Sequence, residues 1–515
     1  MKGLFGNVSL LSTLTILSRF LGLARDILLF SAFGASLFGE AFILAFTMPN
    51  LFRRMLGEGT LSSAFIPIYA ETIKTKSLKV AQSLLDRVIS RLGIFLLGMT
   101  ILVCLCSYGV SQFLLDGKWS HAAGLNTISF GYVAFICCAA IATGALNSHG
   151  RFFVGGFSPI ILNMFMILTL SIFGIWKKYP LDDLAILLSF SVLIAGAFQL
   201  LLPFEELKRK FDWKMNFNLT PSLELSKINQ IFWVGALGAA VVQVNILVSR
   251  FLAFSLDETG ALSYLFLSSR LVELPLGVFA ISISTVLFPE LSKSASQKDH
   301  NLFALHLFRG LRMTSAITIP AAVGLIILAE PILSILFNWG MFGQNEVLLA
   351  AEVLVISACG LPFYAVSTFL VKGFHSKQNM RVPLQAAILS MSSNIFFSLL
   401  LMESLGVHGL AWANVIAAVA QSFLLYWKTS DLKWSSLFKK DQLYMPSILI
   451  SSCLMALLLF SFKDWSPLEY GKGNDLVRIA GLIPLGVLTY FCSLFLAGLP
   501  EVRNLMGSFK PLRKQ

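Results

Sequence analysis

Apolar stretches long enough to cross a lipid bilayer recur from the beginning of this chain to its end. A helix of about 20 residues spans the roughly 30 Å hydrocarbon core of a membrane. Of the 515 residues, 56% are hydrophobic and 13% are charged, and the mean hydropathy is +0.78, whereas soluble domains carry about 25% charged residues. The alternating segments of about ten residues that an outer-membrane barrel requires are absent. The sequence therefore predicts an all-α integral membrane protein.

The apolar stretches divide into about fourteen predicted transmembrane helices. We place them at residues 7–31, 37–56, 84–115, 125–148, 154–176, 182–204, 226–254, 259–290, 308–329, 346–371, 382–402, 407–428, 442–462 and 476–498. Basic residues collect in alternate loops, as at 208–214 and 372–381, and in the tail at 503–514. This positive-inside asymmetry predicts that both termini are cytoplasmic. It also accounts for the net charge of +12, so we predict no nucleic-acid partner.

A weak internal repeat divides most of the chain into two halves. Residues 147–163 and 374–394 each run through a polar and basic stretch, reach a proline, and enter an apolar helix that contains an asparagine. Pro49 and Pro275 occupy comparable places in the second and eighth predicted helices. Internal repeats that flank a site near the bilayer midplane are common in transporters. The pattern predicts two six-helix lobes followed by two extra helices.

The predicted lobes occupy residues 1–204 and 226–430. Between them, residues 205–225 mix apolar side chains with a basic run, and we predict a cytoplasmic amphipathic linker there. Such a pattern is typical of a helix in the headgroup layer, and a plain basic loop fits it equally well. Residues 431–515 hold the two additional helices and a basic cytoplasmic tail.

Five arginines lie inside or at the ends of predicted helices one, two and eight: Arg19, Arg25, Arg53, Arg54 and Arg270. An arginine near the bilayer centre costs roughly 2.5–3.5 kcal/mol on insertion scales, so it normally faces the protein interior or a wet cavity. Several of them on neighbouring helices indicate a site for a group with more than one negative charge. Arginine forks donate two parallel hydrogen bonds to such groups. The sequence therefore predicts transport of an anion.

Structural roles compete with this interpretation. Arg53 and Arg54, near a helix end, can extend to lipid headgroups. Arg270 can form an ion pair with Glu273, which lies one turn further along the same helix. Arg250 is interpreted as an interface or structural arginine.

Acidic residues and glycines accompany the arginines. Carboxylates near them can temper the positive charge and hold the guanidinium groups when the site is empty. Two glycines that flank one of these acids provide a bending point for alternating access. The candidate gating or ion-pairing residues are Asp26, Glu40, Gly57, Glu58, Gly59 and Glu273.

The sequence contains no enzyme motif that we recognise. HExxH, P-loop, GxSxG and dinucleotide-binding patterns are absent, and the six histidines lack paired-ligand spacing. The seven cysteines all lie in predicted membrane helices and suggest neither a metal site nor a disulfide framework. We predict that the protein is not an enzyme and has no catalytic residue, metal or cofactor.

Five segments of the chain carry family motifs. They read SRFLGLARD at 18–26, PNLFRRMLGEGTLSSAFIPIYAE at 49–71, ALNSHGRFFVGGFSP at 145–159, SRLVELPLGVFAISISTVLFPELSK at 269–293 and GFHSKQNMRVP at 373–383. Together they resemble the MurJ (MviN) family of lipid II flippases. That family belongs to the exporter superfamily that also contains the MATE drug antiporters and polysaccharide-lipid flippases. The resemblance covers nearly the whole chain, and the first two segments in this order and spacing are highly specific.

The resemblance implies that the two lobes surround a central cationic cavity lined by Arg19, Arg25, Arg53 and Arg270. This cavity would receive the diphosphate and the sugar-peptide head of undecaprenyl-linked lipid II. The resemblance also implies a gate at Glu58 and its neighbouring glycines. The last two helices would form a groove for the lipid tail.

Two positions depart from the family pattern. Glu40 stands where the family usually has an aspartate, which keeps the charge on a longer side chain. Residues 248–250 read Val-Ser-Arg where some members have a carboxylate that contributes to a sodium site. Sodium coupling is therefore not predicted for this chain.

The sequence thus predicts a flippase that moves lipid II from the cytoplasmic to the periplasmic leaflet of the bacterial inner membrane by alternating access. The predicted partners are lipid II, membrane lipids and other cell-wall synthesis proteins, and we expect a monomer. Three other interpretations stay open. A flippase for another polyprenyl-diphosphate oligosaccharide would bind the same diphosphate. A MATE-like antiporter would expose acids instead of arginines, and a membrane scaffold would need no buried arginines.

Overall fold

The structure is a computed structural model, and it describes residues 2–114, 117–430, 432, 443–463, 465 and 472–498. Every regular element in these residues is helical, and they contain no β-strand. The predicted all-α class is confirmed. Two predicted basic regions lie outside the described residues: the tail beyond residue 498, and a loop that carries Lys433, Lys439 and Lys440.

The chain forms two compact units, and unit 1 comprises Met1–Ser255 and Trp339–Phe342. Its α-helices are α1 (Lys2–Phe33), α2 (Leu37–Phe52), α3 (Leu61–Thr75), α4 (Leu78–Gly109), α5 (Lys118–Ser129), α6 (Tyr132–Ser148), α7 (Phe153–Thr169), α8 (Leu181–Phe211) and α9 (Leu223–Ser255). Short π-helical segments follow α2, α4 and α7, at Arg53–Thr60, Val110–Leu114 and Leu170–Trp176.

Unit 2 comprises Leu256–Asn338 and Gly343–Gln515. Its α-helices are α10 (Ala261–Pro275), α11 (Ile281–Ser296), α12 (His300–Ile327), α13 (Ala329–Phe337), α14 (Gln344–Cys359), α15 (Leu361–Ser376), α16 (Arg381–Trp427), α17 (Tyr444–Ser461) and α18 (Lys472–Leu496). A π-helical segment, Leu276–Ala280, joins α10 to α11.

Ten helices in the described residues are long and apolar enough to cross a membrane, or eleven if the bent pair α14 and α15 forms one span. Each of the fourteen predicted spans overlaps a helix, but a count by helix length and apolar composition does not confirm the number fourteen. This count takes α16 as one span although Gly406 interrupts that helix, and it does not include α1, which carries charged residues. The chain is a multi-pass helical membrane protein.

The interruption of α16 has a local cause at Gly406. Its backbone adopts φ 55° and ψ −133°, a conformation that side-chain-bearing residues rarely adopt. The Glu258 carboxylate accepts a hydrogen bond from the Val407 N–H at 3.2 Å, so a backbone donor that the break releases is satisfied. The two parts of α16 correspond to predicted helices eleven and twelve.

A proline precedes a π-helical segment in both units. Pro49 lies one turn before Arg53–Thr60, and Pro275 lies directly before Leu276–Ala280. Proline lacks the N–H donor and its ring clashes with a carbonyl of the preceding turn, so the regular hydrogen-bond ladder is broken there. A π-helical turn accommodates such a break. The similarity between the second and eighth predicted helices therefore has a structural counterpart.

Helix α9 belongs to unit 1, because it packs against α2, α3 and the Arg53–Thr60 segment. The predicted lobe boundary at 205–225 assigned this helix to the second lobe, so the lobes and the compact units differ in this helix. A sequence repeat indicates which helices correspond, whereas a compact unit depends on which side chains pack together.

The linker between α8 and α9 is not the surface helix that the amphipathic pattern allowed. Helix α8 continues to Phe211, Asp212 ends it with φ 50°, and residues 212–222 form no helix. Trp213 is 3% exposed, and its indole N–H donates to Asp86 Oδ1 on α4 at 2.9 Å. A tryptophan buried against protein cannot also lie in the headgroup layer, so the loop alternative applies to these residues.

Further polar bonds fasten this linker, which we call the strap (residues 212–222). The Asn218 N–H donates to the Ser90 hydroxyl of α4 at 3.1 Å. Where α9 begins, Lys76 forms an ion pair with Glu224 and lowers the pKa of that carboxyl group to about 2. The strap therefore ties the start of α9 to the neighbouring helices of unit 1.

In unit 2 the last two described helices pack against α12 and α13. The Arg312 guanidinium carbon lies 3.6 Å from the centre of the Tyr444 ring, which is a cation–π contact. The Ser334 hydroxyl donates to Asp475 at 2.6 Å. Polar contacts thus hold α17 against α12 and α18 against α13. These are the two helices that the sequence predicted beyond the two six-helix lobes.

We expect Asp86→Ala to loosen the strap, because the buried Trp213 indole and the Asn216 N–H would lose their acceptor. Hydrogen bonds to charged groups contribute about 1.5–3 kcal/mol. Asp86→Asn retains one acceptor oxygen and is the matched control. Trypsin should cleave the detergent-solubilised alanine variant after Lys214 several times faster than wild type or Asp86→Asn. Equal cleavage rates in all three proteins would contradict this role.

Candidate functional site

A buried polar cluster in unit 1 surrounds Arg25 of α1. Its Nε and one terminal nitrogen donate to Asp26 Oδ1 at 3.0 and 2.6 Å, and the other terminal nitrogen donates to Asn163 Oδ1 on α7 at 3.1 Å. The exposed fraction of the whole residue is 9% for Arg25, 6% for Asp26 and 5% for Asn163. A charge in an apolar bundle is tolerated only when it is paired and hydrogen-bonded. The predicted association of Arg25 with Asp26 is present in this form.

Asn163 completes the cluster, and it was not among the predicted site residues. Its Nδ2 donates to the Ser18 carbonyl at 3.1 Å while its Oδ1 accepts from Arg25. One amide therefore joins two separate turns of α1 to α7. The available signal was an asparagine within an apolar helix, since a buried amide needs partners. The sequence analysis used this residue only as part of the repeat.

One face of α2, continued by the first residue of the π-helical segment that follows, carries a second polar group. Thr47, Asn50 and Arg53 are spaced by three residues, so they lie on adjacent turns of this face. Arg53 donates to Asn50 Oδ1 from Nε at 3.0 Å and from Nη2 at 2.9 Å. Arg250 of α9 donates to the Thr47 hydroxyl. This contact gives Arg250 the structural role that the sequence indicated.

The remaining predicted residues of unit 1 occupy α1, α2 and the segment that follows α2. Arg19 is exposed and Arg54 is half-buried, whereas Glu40 in the first turn of α2 is 6% exposed. Gly57, Glu58 and Gly59 all fall within the π-helical segment Arg53–Thr60. Because π-helical turns are irregular and frequent at functional sites, the predicted bending point lies in a suitable element.

In unit 2, Arg270 of α10 pairs with Glu273 one turn along the helix, with a nitrogen–oxygen distance of 3.5 Å. The Arg270 guanidinium also lies 4.9 Å from the Phe266 ring centre. The two charged side chains are 31% and 54% exposed, compared with 11% and 9% for Arg25 and Asp26. Exposed pairs within a helix contribute about 0.3–0.5 kcal/mol, so Arg270 is held much less firmly than Arg25.

These side chains can bind an anion. Guanidinium groups offer planar donor forks that match carboxylate and phosphate oxygens. No group of three or more His, Cys, Asp or Glu residues that could hold a metal ion occurs among the residues that the structure describes.

Comparison with solved structures identifies the fold. An inward-facing multidrug resistance MATE family transporter of the MOP superfamily has a TM-score of 0.66 and 15% identity, covering 81% of this chain and 96% of its own. At this identity the likeness shows the fold alone. The chain therefore has the fold of a MOP superfamily transporter.

The particular family follows from more similar proteins. A lipid II flippase MurJ in an inward closed conformation has a TM-score of 0.77 and 26% identity, covering 96% of this chain and 99% of its own. The family model for lipid II flippase MurJ matches residues 29–479. Relatives from Vibrio cholerae and Bdellovibrio bacteriovorus, each named "Probable lipid II flippase MurJ", are both 31% identical, over 96% and 99% of this chain and 97% and 98% of their own. The chain belongs to the lipid II flippase MurJ family, as its motifs predicted.

We expect Asn163 and Arg25 to be energetically coupled. Asn163→Leu keeps the side-chain size but removes an acceptor from Arg25, and groups in one buried network show coupling energies of about 0.5–3 kcal/mol. The thermal stabilities of Asn163→Leu, Arg25→Leu and the double variant measure this coupling. Ser189→Ala on α8, combined with Arg25→Leu, is the control pair and should be additive. Additivity in both pairs would show that the Arg25–Asn163 bond contributes nothing.

Proposed function

We propose that this protein is a transporter that flips lipid II from the cytoplasmic to the periplasmic leaflet of the bacterial cytoplasmic membrane. Family membership supports lipid II as the substrate. Within the chain, the observation that carries the proposal is the Arg25–Asp26–Asn163 cluster, a guanidinium held inside an apolar helix pair at one of the family's motifs. The protein acts as a monomer with both termini in the cytoplasm, alongside other cell-wall synthesis proteins.

The head group is bound through its diphosphate by arginine side chains. Three hydrogen bonds hold Arg25 in place, which leaves two of the five guanidinium N–H groups for phosphate oxygens. Arg19 and Arg270 are more exposed and supply donors that are less constrained. The proposed substrate-binding residues are Arg19, Arg25, Arg53, Arg54 and Arg270.

Acidic side chains keep binding reversible. Asp26 and Glu273 hold Arg25 and Arg270 when no substrate is bound, and a diphosphate has to compete with them. Glu40, buried near the start of α2, adds negative charge to the same unit as Asp26. A carrier that bound its substrate without such competition would release it slowly.

Alternating access uses bends that the helices already contain. The π-helical segments that follow Pro49 and Pro275 interrupt the regular hydrogen-bond ladder in both units. Hinges are a few residues that absorb large changes in backbone angles. Gly57, Glu58 and Gly59 act as the gate in the first of these segments.

Complementation separates this proposal from its alternatives. A bacterial host depleted of its own lipid II flippase should grow with normal peptidoglycan when this chain is supplied. A flippase for another polyprenyl-diphosphate oligosaccharide or a MATE-like antiporter would leave the host unable to grow. Accumulation of lipid II in the cytoplasmic leaflet despite normal expression of the chain would contradict the proposal.

Arg25→Ala and Arg270→Ala should each abolish growth in this assay, and Arg270→Ala, which breaks only an exposed pair, should do so at near-normal abundance in the membrane. The reason is that each removes donors to the diphosphate. Arg25→Lys and Arg270→Lys should rescue growth only partly, since an ammonium keeps the charge but loses the planar fork. Arg209→Ala is the matched control, because this side chain is 77% exposed and pairs only weakly with Glu205 at 3.5 Å. Wild-type growth of both alanine variants would remove these arginines from the substrate site.

A further inference from the structure

Unit 1 contains a cavity of about 340 Å³ bounded by α1, α3, α6 and α7. This volume is at the lower end of the roughly 300–1,000 Å³ that small-molecule sites occupy. Small residues of α6 and α7, among them Ala139, Ala140 and Gly156, line it and leave the space open. None of the described residues that line the cavity is charged. The cavity therefore suits a neutral group.

Several polar groups and one aromatic ring also line the cavity. Thr143, Asn147 and Ser158 contribute hydroxyl and amide groups, and Phe152 contributes its ring. Asn147 Oδ1 is buried and has no hydrogen-bond partner in the described part of the chain. Buried polar atoms in folded proteins are almost always paired, so this oxygen calls for a donor in the cavity. A hydroxyl or N–H group would satisfy it, whereas an acyl chain would not.

The cavity begins beside the Arg25 cluster. Pro159 lines it and lies one turn of α7 before Asn163, the partner of Arg25. On α1, Leu11 lines the cavity and lies seven residues before Ser18, whose carbonyl Asn163 binds. At a rise of 1.5 Å per residue, seven residues correspond to about 10 Å. The cavity thus extends along the same α1–α7 pair that holds Arg25.

We propose that this cavity is an uncharged subsite for a sugar ring of the lipid-linked head group, an inference that rests on the proposed function. In a polyprenyl-diphosphate sugar the first ring is bonded to the outer phosphate, so a diphosphate on Arg25 places that ring within one or two helical turns. The sugar offers hydroxyl donors to Asn147 and an apolar ring face to Phe152. The absence of positive charge among the described lining residues disfavours a second phosphate.

Two lipids test this subsite on the full-length protein in nanodiscs of fixed composition: undecaprenyl diphosphate, which lacks sugar, and lipid II. The wild type should bind lipid II at least about tenfold more tightly than undecaprenyl diphosphate, a difference of about 1.4 kcal/mol in binding free energy. Ala140→Leu fills the cavity and Asn147→Ala removes the acceptor, so each should reduce this preference to about threefold or less. Both should leave binding of undecaprenyl diphosphate unchanged, which also shows that they fold. Ala134→Leu adds the same volume to α6 outside the cavity and should keep the full preference.

The outcomes separate the subsite from the function on which it rests. Equal binding of both lipids by the wild type, or an equal loss for both lipids in Ala140→Leu, would overturn the sugar subsite. In either case the affinity of the wild type for undecaprenyl diphosphate would leave the proposed function standing. A wild type that binds neither lipid would overturn the proposed function and the subsite with it.

Discussion

A guanidinium inside an apolar helical bundle needs hydrogen-bond partners from the protein, and this requirement organises unit 1. Arg25 obtains them from Asp26 on its own helix and from Asn163 on α7. Because Asn163 also binds the Ser18 carbonyl, the charge fixes the register of α1 against α7. Breaking a buried ion pair by removing one partner typically costs 3–5 kcal/mol. The charge that we propose binds the substrate therefore also determines how the two helices pack.

The same sequence elements produce bends in both units. Pro49 and Pro275 each lie in the last turn of a regular helix, and a π-helical segment follows each of these helices. In both places an arginine that we propose binds the substrate lies close to the break, Arg53 at the start of the first segment and Arg270 one to two turns before the second. A change in backbone angles at the break would therefore move the donor groups together with the helix. This links binding to conformational change in the mechanism that we propose.

Features that depend on local sequence were predictable, and those that depend on long-range packing were not. Apolar length located the helices, and helical spacing alone predicted the Arg270–Glu273 pair. Asn163 could not be assigned, because its partnership with Arg25 depends on the register of two helices separated by more than a hundred residues. The strap shows a different limit. An amphipathic pattern is the same whether Trp213 is buried against lipid or, as it is, against α4.

The difference between the two arginine pairs bears on how a flippase can both capture and release its substrate. In the proposed mechanism, a diphosphate that approaches Arg25 finds three of its five N–H groups committed to Asp26 and Asn163, so any contact beyond the other two exchanges hydrogen bonds instead of adding them. The net gain of such an exchange is about 0.5–1.5 kcal/mol per bond, far below the strength of an isolated bond. Arg270, held by an exposed carboxylate at 3.5 Å, loses less when it changes partner. In the mechanism that we propose, a pair that exchanges at low cost, such as Arg270–Glu273, adds to net affinity, whereas Arg25 fixes the position and orientation of the diphosphate while leaving it able to depart.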